Sequence, residues 1–164
     1  GENRGIKVNQ VFLGEFVHSF DSQRRITIPS EWRGSNSRRT SFYLLPGRYK
    51  TIQMLPSGYF EEVLSKIKKV SFADAEASLA LARLGRMAQA CKCDSQGRIQ
   101  ISTNLYSYAE FSGNAVLVGA INVIQIWSEK NWAKYGGTDE QVLDVIQKIN
   151  ERPEDISDIL KGKI

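Results

Sequence analysis

Two short segments of the chain place an acid and a base at the same spacing. Asp21-Ser22-Gln23-Arg24-Arg25 and Asp94-Ser95-Gln96-Gly97-Arg98 each set a carboxylate four residues before a guanidinium. Asp and Ser favour turns because their short polar side chains bond nearby backbone N–H groups. Gly97 takes positive φ at no steric cost. Arg24 stands at the matching position, where positive φ is unfavourable, so the first turn is expected to be strained or differently shaped. A carboxylate four residues earlier can bond the backbone or the guanidinium and so fix the direction of Arg25 or Arg98. An ordered arginine on a loop suits phosphate oxygens and guanine edges. The alternative is an Asp–Arg pair that only staples a hairpin.

Other chemistries find little material. The only histidine is His18, and the two cysteines, Cys91 and Cys93, are one residue apart. On a strand both would face the same side, as small apolar groups turned to a core. A zinc site needs about four ligands, and one histidine gives little scope for Ser/His or Cys/His catalysis. Neither Gly-x-Gly-x-x-Gly nor Gly-Lys-Ser/Thr occurs, so no phosphate-cradling loop is expected. The expectation is therefore no enzyme, no metal, no cofactor and no small-molecule substrate.

A second basic group, Arg33, Arg38, Arg39, Arg48 and Lys50, falls in a loop-like stretch. It could contact DNA at a site flank or simply solvate a surface. Lys66, Lys68 and Lys69 suit the end of a helix, where cations complement the dipole. Trp32, Trp127 and Trp132 read as packing anchors, and Gly85 and Gly119 as close-packing positions.

These residues sit within a duplication. Residues 21–28 and 94–101 are identical at six of eight positions, at a constant offset of 73. The same offset pairs Tyr43-Leu44-Leu45-Pro46 with Val116-Leu117-Val118-Gly119. After a slip of one residue, Ile52-Gln53-Met54-Leu55 pairs with Ile124-Gln125-Ile126-Trp127. Alternating apolar and polar residues predict strands at 14–20, 25–29, 41–45 and 51–55. In the second copy they predict strands near 88–93, 98–102, 115–119 and 122–127. Ser57 is expected to cap a helix carrying Phe60, Val63, Leu64 and Ile67. Ser71, with Asp74 three residues on, is expected to open a second helix to about Met87. Ser128 opens a short helix through Trp132, and Thr138 a long one that Pro153 ends. Residues 1–13 show no clear period. The expected organisation is a first module over 14–60, a helical linker over 61–87, a second module over 88–134 and a helical acidic extension over 135–164.

Charge follows the same division. The net charge is +4, but residues 1–50 have a balance of +5 and residues 139–164 a balance of −3. A basic body suits a polyanionic partner. No stretch approaches the ~20 apolar residues of a membrane span, so a cytoplasmic protein with no membrane partner is expected.

The span from Gly14 to about Lys134 resembles the MraZ family, bacterial regulators with two SpoVT/AbrB-type modules. The residues that carry the likeness are Phe20 to Pro29, Trp32-Arg33, and Cys93 to Arg98, with a linker over Leu79–Met87. Arg24 departs from the pattern, which usually has Gly there. The resemblance implies an α+β fold of tandem swapped-hairpin, AbrB-like β modules forming a pseudo-dimer, with linker and C-terminal helices. It also implies ring-like homo-oligomers, associated with the nucleoid, that bind repeated promoter boxes in double-stranded DNA upstream of the division and cell-wall gene cluster. Arg25, Arg98, Arg24 and Arg33 would then contact DNA, with Asp21 and Asp94 as orienting residues. Two other functions remain open on the sequence. One is an AbrB-type antitoxin that binds DNA while its acidic tail holds a toxin, and the other is a scaffold whose turns make subunit contacts.

Overall fold

Period-two alternation in each copy does produce strands, and the pairing between copies is what builds the sheet. The structure, a computed structural model, describes residues 10–34 and 40–164. Strands β1 (Glu15–Ser19), β2 (Arg25–Thr27), β3 (Ser41–Pro46) and β4 (Ile52–Pro56) come from the first copy. Strands β5 (Gln89–Lys92), β6 (Arg98–Gln100), β7 (Asn114–Gly119) and β8 (Ile124–Ser128) come from the second. Six of them form one antiparallel sheet in the order β1-β7-β8-β4-β3-β5, and β2 pairs with β6 as a separate ribbon. The first strand of each copy therefore pairs with a strand of the other, β1 with β7 and β5 with β3.

The registers define a pseudo-twofold axis. At the centre of the sheet Gln53 faces Gln125, with Ile52 opposite Ile126 and Met54 opposite Ile124. In the ribbon Ile26 faces Ile99, flanked by Arg25 opposite Gln100 and Thr27 opposite Arg98. The swapped-hairpin pseudo-dimer implied by the family resemblance is thus the observed α+β architecture. Because the side-chain period of a strand is two, a slip of one residue would turn each apolar set outward. Ile26, Ile28, Ile99 and Ile101 of the ribbon segments join Phe42, Leu44, Ile52, Met54, Leu117, Ile124 and Ile126 of the sheet in one buried cluster.

The connections are less symmetric than the strands. After β2 the chain makes a single 3-10 turn, Ser30–Trp32. After β6 it makes a true helix, α3 (Thr103–Tyr108), whose cap Ser102 accepts the Leu105 N–H at 3.2 Å. Sequence reasoning missed this helix. Trp32 and its counterpart Leu105 are both buried. Phe12, in the stretch without a clear period, is fully buried and exchanges backbone bonds with Ile121. A Cβ on Gly119 would stand 2.5 Å from the Phe12 backbone, so this glycine is indeed a close-packing position. Gly85 is not: a Cβ there would meet nothing within 4 Å.

Two helices join the copies, α1 (Ser57–Ile67) and α2 (Ala75–Met87). Pro56, not Ser57, takes the cap position of α1 and makes no side-chain bond there. α1 is anchored by Phe60, whose ring stacks on Tyr43 at 4.3 Å. Helix α2 starts at Ala75 instead of near Ser71, because Asp74 is extended (φ −77°, ψ 101°) and its carboxylate accepts the Ala77 N–H. Ser71 instead closes the preceding turn through the Ala73 N–H. Ser128 caps α4 (Glu129–Tyr135) by accepting from Asn131, and this helix continues past Trp132.

The described residues up to Trp132 form one compact unit, and Ala133–Ile164 form a second. Within the second, α5 (Asp139–Glu151) opens where Gln141 Oε1 accepts the Thr138 N–H. A 3-10 turn at Pro153–Asp155 leads to α6 (Ile156–Leu160), where Ile159 is buried. The chain after Pro153 is therefore folded back into helix.

Candidate nucleic-acid interface

The antiparallel ribbon settles where the motif arginines stand. Ile26 and Ile99 point into the core, so Arg25, Thr27, Arg98 and Gln100 occupy the opposite, outer face. Arg25 and Arg98 are diagonal neighbours there, a separation of roughly 7–8 Å between Cα atoms. Two backbone bonds outside the short ladder extend the pairing symmetrically, Ile28 N–H to the Gly97 carbonyl at 2.9 Å and Ile101 N–H to the Arg24 carbonyl at 3.0 Å. Residues 73 apart in sequence are thus brought to one surface by the pseudo-twofold.

Each aspartate organises its turn in the same way. Asp21 Oδ1 accepts the N–H groups of Gln23 (2.8 Å) and Arg25 (2.9 Å), while Oδ2 accepts Arg25 Nε at 2.6 Å. Asp94 Oδ1 accepts from Gln96 and Arg98, both at 2.9 Å, and Oδ2 from Arg98 Nε at 2.9 Å. Arg98 also reaches across the ribbon, its Nη1 lying 3.7 Å from Asp21 Oδ2. The Arg25 N–H is the main cause that lowers the Asp21 pKa to about 2, against a smaller opposing effect of desolvation; the Arg25 guanidinium bond, the Gln23 N–H and the Arg25 charge add to it. Desolvation works to raise the Asp94 pKa, but the Arg98 and Gln96 N–H groups and the Arg98 guanidinium outweigh it, and the net shift is downward. With Nε committed to a carboxylate, each guanidinium is fixed in direction, and that of Arg98 also turns one terminal nitrogen toward Asp21. Their side chains remain a quarter to a third exposed.

Arg24 does adopt positive φ, at 59°, close to the 77° of Gly97. The first turn is therefore strained but not reshaped: Arg24 N–H reaches the Asp21 carbonyl at 3.1 Å, as Gly97 N–H reaches that of Asp94 at 3.0 Å. The Arg24 side chain crosses the ribbon and donates Nε to the Ile101 carbonyl at 2.9 Å. Arg33 follows the 3-10 turn of the first copy but packs at the turn of the second. A Cβ on Gly97 would fall 2.2 Å from Arg33 Nη1 and 2.4 Å from Cζ, so the guanidinium lies directly over the glycine.

The described members of the second basic group do not stand together. Arg33 belongs to the 94–98 turn, and Arg38 and Arg39 lie outside the described residues. Arg48 and Lys50 stand in the β3–β4 hairpin, which Tyr108 of α3 holds through the Gly47 carbonyl. Lys50 Nζ sits 4.8 Å from the Tyr108 ring centroid. The ladder puts this hairpin at the far end of β3 from the turn, since Leu44 faces Gln89 and Ser41 faces Lys92. Cys91 and Cys93 pack against the core. Burial pushes the Cys91 thiol up to about 12, with Cys93 adding to it. Burial likewise carries Cys93 to about 11, against the lowering charge of Arg33 and with Asp94 acting upward. Both are packing groups, as their spacing predicts.

Comparison with known proteins places the chain in a family. The family described as "MraZ protein, putative antitoxin-like" matches residues 85–148, which cover the second copy and most of α5. A protein named transcriptional regulator MraZ from Desulforamulus reducens is 32% identical over 130 residues, which is 79% of this chain and 90% of that protein. The chain belongs to the MraZ family. A namesake from Desulfitobacterium hafniense (strain DSM 10664 / DCB-2) is 30% identical over 76% of this chain and 86% of its own length. One from Clostridium acetobutylicum is 27% identical over 86% and 98%. MraZ proteins are thus named as transcriptional regulators, not as enzymes. Among the described residues no helix is long and apolar enough to cross a membrane, and no group of three His, Cys, Asp or Glu side chains could hold a metal ion.

Proposed function

We propose that this chain is a sequence-specific, DNA-binding transcriptional regulator that works as a homo-oligomer on repeated promoter boxes. The observation that carries the reading is the outer face of the β2–β6 ribbon, where Arg25 and Arg98 stand side by side, each aimed by its own aspartate. A guanidinium held by Nε still offers a two-pronged donor edge, the geometry that suits a guanine edge or a phosphate. Arg24 and Arg33 flank the pair. The names of the relatives support regulation as the outcome, and the family resemblance supports the division and cell-wall gene cluster as the target. A DNA partner in turn supports a nucleoid-associated, cytoplasmic protein.

Self-association is supported by apolar surface at a sheet edge. Among the described residues β1 is an edge strand. Val11, Leu13 and Val17 on and near it are half or more exposed, and Phe72 between α1 and α2 is almost wholly so. A closed assembly covers such edges. The description of the family as antitoxin-like keeps a second reading in play, in which the chain binds DNA and also holds a toxin.

Titrating duplex DNA from upstream of the chain's own gene cluster, at several salt concentrations and with particle mass measured alongside, tests the proposal. Wild type binds as an oligomer and loses affinity steeply with salt. Arg98→Ala keeps the oligomer and its melting temperature, yet loses at least about tenfold in affinity. Normal DNA binding by Arg98→Ala, with breakdown into smaller species, would make the turns assembly elements and favour the scaffold reading. A second protein that co-purifies in fixed ratio favours the antitoxin.

A further inference from the structure

The offset that relates the copies exposes an exchange between them. Position 24 of the first turn corresponds to position 97 of the second, and position 33 after β2 corresponds to position 106 after β6. Where the first turn has Arg24, the second has Gly97. Where the first copy has Arg33, the second has Tyr106. The structure shows what the exchange does in space. At the first turn Tyr106 packs edge-on to Phe20 at 5.1 Å, and the side chain at position 24 crosses to the Ile101 carbonyl. At the second turn Cys93 stands in the place of Phe20, and Arg33, near enough for its charge to act on that thiol, lies over the bare Gly97. Phe20, Tyr106 and Arg24 on one side are matched by Cys93, Arg33 and Gly97 on the other. Each turn thereby receives one arginine besides its aspartate-aimed one.

We infer that Arg24 and Arg33 are one functional position supplied from two different elements, each giving its turn a second arginine directed at the nucleic-acid backbone. This rests on the reading of the ribbon as a DNA-binding face. The two arginines are held unequally. Arg24 is tied to the Ile101 carbonyl. Arg33 is held by packing: its Nε is buried and, among the described residues, has no hydrogen-bond partner. A guanidinium with an unanswered N–H, on a turn whose neighbour already aims an arginine outward, is suited to an anionic oxygen. The second turn is therefore the adaptable one, whose auxiliary arginine moves onto a phosphate when DNA arrives, whereas Arg24 meets its phosphate in place.

Exchange variants test this in the full chain, with the same promoter duplex and anisotropy read at several salt concentrations. Arg24→Gly and Arg33→Tyr, each of which installs the residue of the other copy, are expected to lower the slope of log K against log salt by about 0.9, the value of one phosphate contact. Arg33→Gln, which keeps most of the packing volume without the charge, is expected to do the same with little change in melting temperature. Combining Arg24→Gly with Tyr106→Arg rebuilds the first turn in the style of the second and is expected to restore the slope. If Arg33→Tyr and Arg33→Gln lower only the melting temperature and leave the slope intact, Arg33 is a cover for Gly97 and the inference is overturned. Arg98→Ala run alongside separates the two levels. If it loses binding while the Arg24 and Arg33 variants do not, only the exchange is wrong; if it too binds normally, the DNA-binding face itself is wrong.

Discussion

The first turn carries Arg24 at φ 59° where the second carries Gly97 at 77°, yet both aspartates take up the same two backbone N–H groups and the same arginine Nε. Behind the turns the copies agree to the residue, with Ile26 facing Ile99 on the pseudo-twofold axis. Ahead of them they diverge, a 3-10 turn in one and a six-residue helix in the other. The comparison teaches that glycine is not what shapes this turn. The carboxylate bonds and the ribbon pairing impose the left-handed residue, and they hold an arginine there against its preference. Symmetry is kept where the ribbon register enforces it and lost beyond it, where Trp32 and Leu105 are both buried but by segments of different shape.

The largest effect should come from the symmetric part. Ile26→Ala and Ile99→Ala each remove a side chain that is 1% exposed, so each should cost about 2–5 kcal/mol in denaturant unfolding. The two losses should be nearly equal, and the double variant non-additive because the residues touch. A marked inequality would break the pseudo-twofold as an energetic description.

Removing an aiming carboxylate should come next. Asp94→Ala deletes three hydrogen bonds, one of them to a charged group, and should cost about 1–3 kcal/mol of stability. Although it also removes a negative charge from a DNA-facing surface, it should weaken promoter binding, by less than Arg98→Ala does. Tighter binding in the same titration would mean that Asp94 does not orient Arg98.

The left-handed position sharpens the contrast between the turns. Gly97→Ala should cost about 1 kcal/mol or slightly more, since alanine at φ 77° is disfavoured and Arg33 must move aside. Arg24→Gly should change stability by less than about 1 kcal/mol, because relief of the backbone is offset by loss of the bond to Ile101. Thermal melts of the two variants together check the pair. A large loss in Arg24→Gly would show that the side-chain bond dominates the backbone strain.

The smallest expected effect is the acid response. Asp21 has its pKa lowered from 3.8 to about 2 by the Arg25 N–H first and by the other bonds of the turn. A carboxylate whose folded pKa is depressed contributes stability that is full above the unfolded value and disappears as pH falls through the folded one. The difference in melting temperature between wild type and Asp21→Asn should therefore be constant near neutral pH and close between about pH 4 and pH 2. Asp94→Asn should close in the same sense, since its pKa is also lowered. A gap that persists unchanged to pH 2 would mean the carboxylate bonds do not stabilise the turn.

By itself the sequence determined the duplication, the eight strands, the inward isoleucines and the acid-to-arginine spacing. All of these rest on local chemistry, either a period of two or a side chain bonding a backbone a few residues away. The pairing of those strands was not in the pattern, because alternation says which side of a strand is buried and not which strand lies beside it; the family resemblance supplied that swap. Helix α3 escaped notice because six residues are too few to show a helical period, and Ser102 with Leu105 and Ala109 was its only mark. The break between α1 and α2 turned on whether Ser71 or Asp74 caps, a choice that two good capping residues leave open. Arg33 over Gly97 was beyond any local reading. The two are far apart in sequence and meet only because the ribbon carries the 3-10 turn of one copy onto the turn of the other, so tertiary structure alone decided which arginines share a surface.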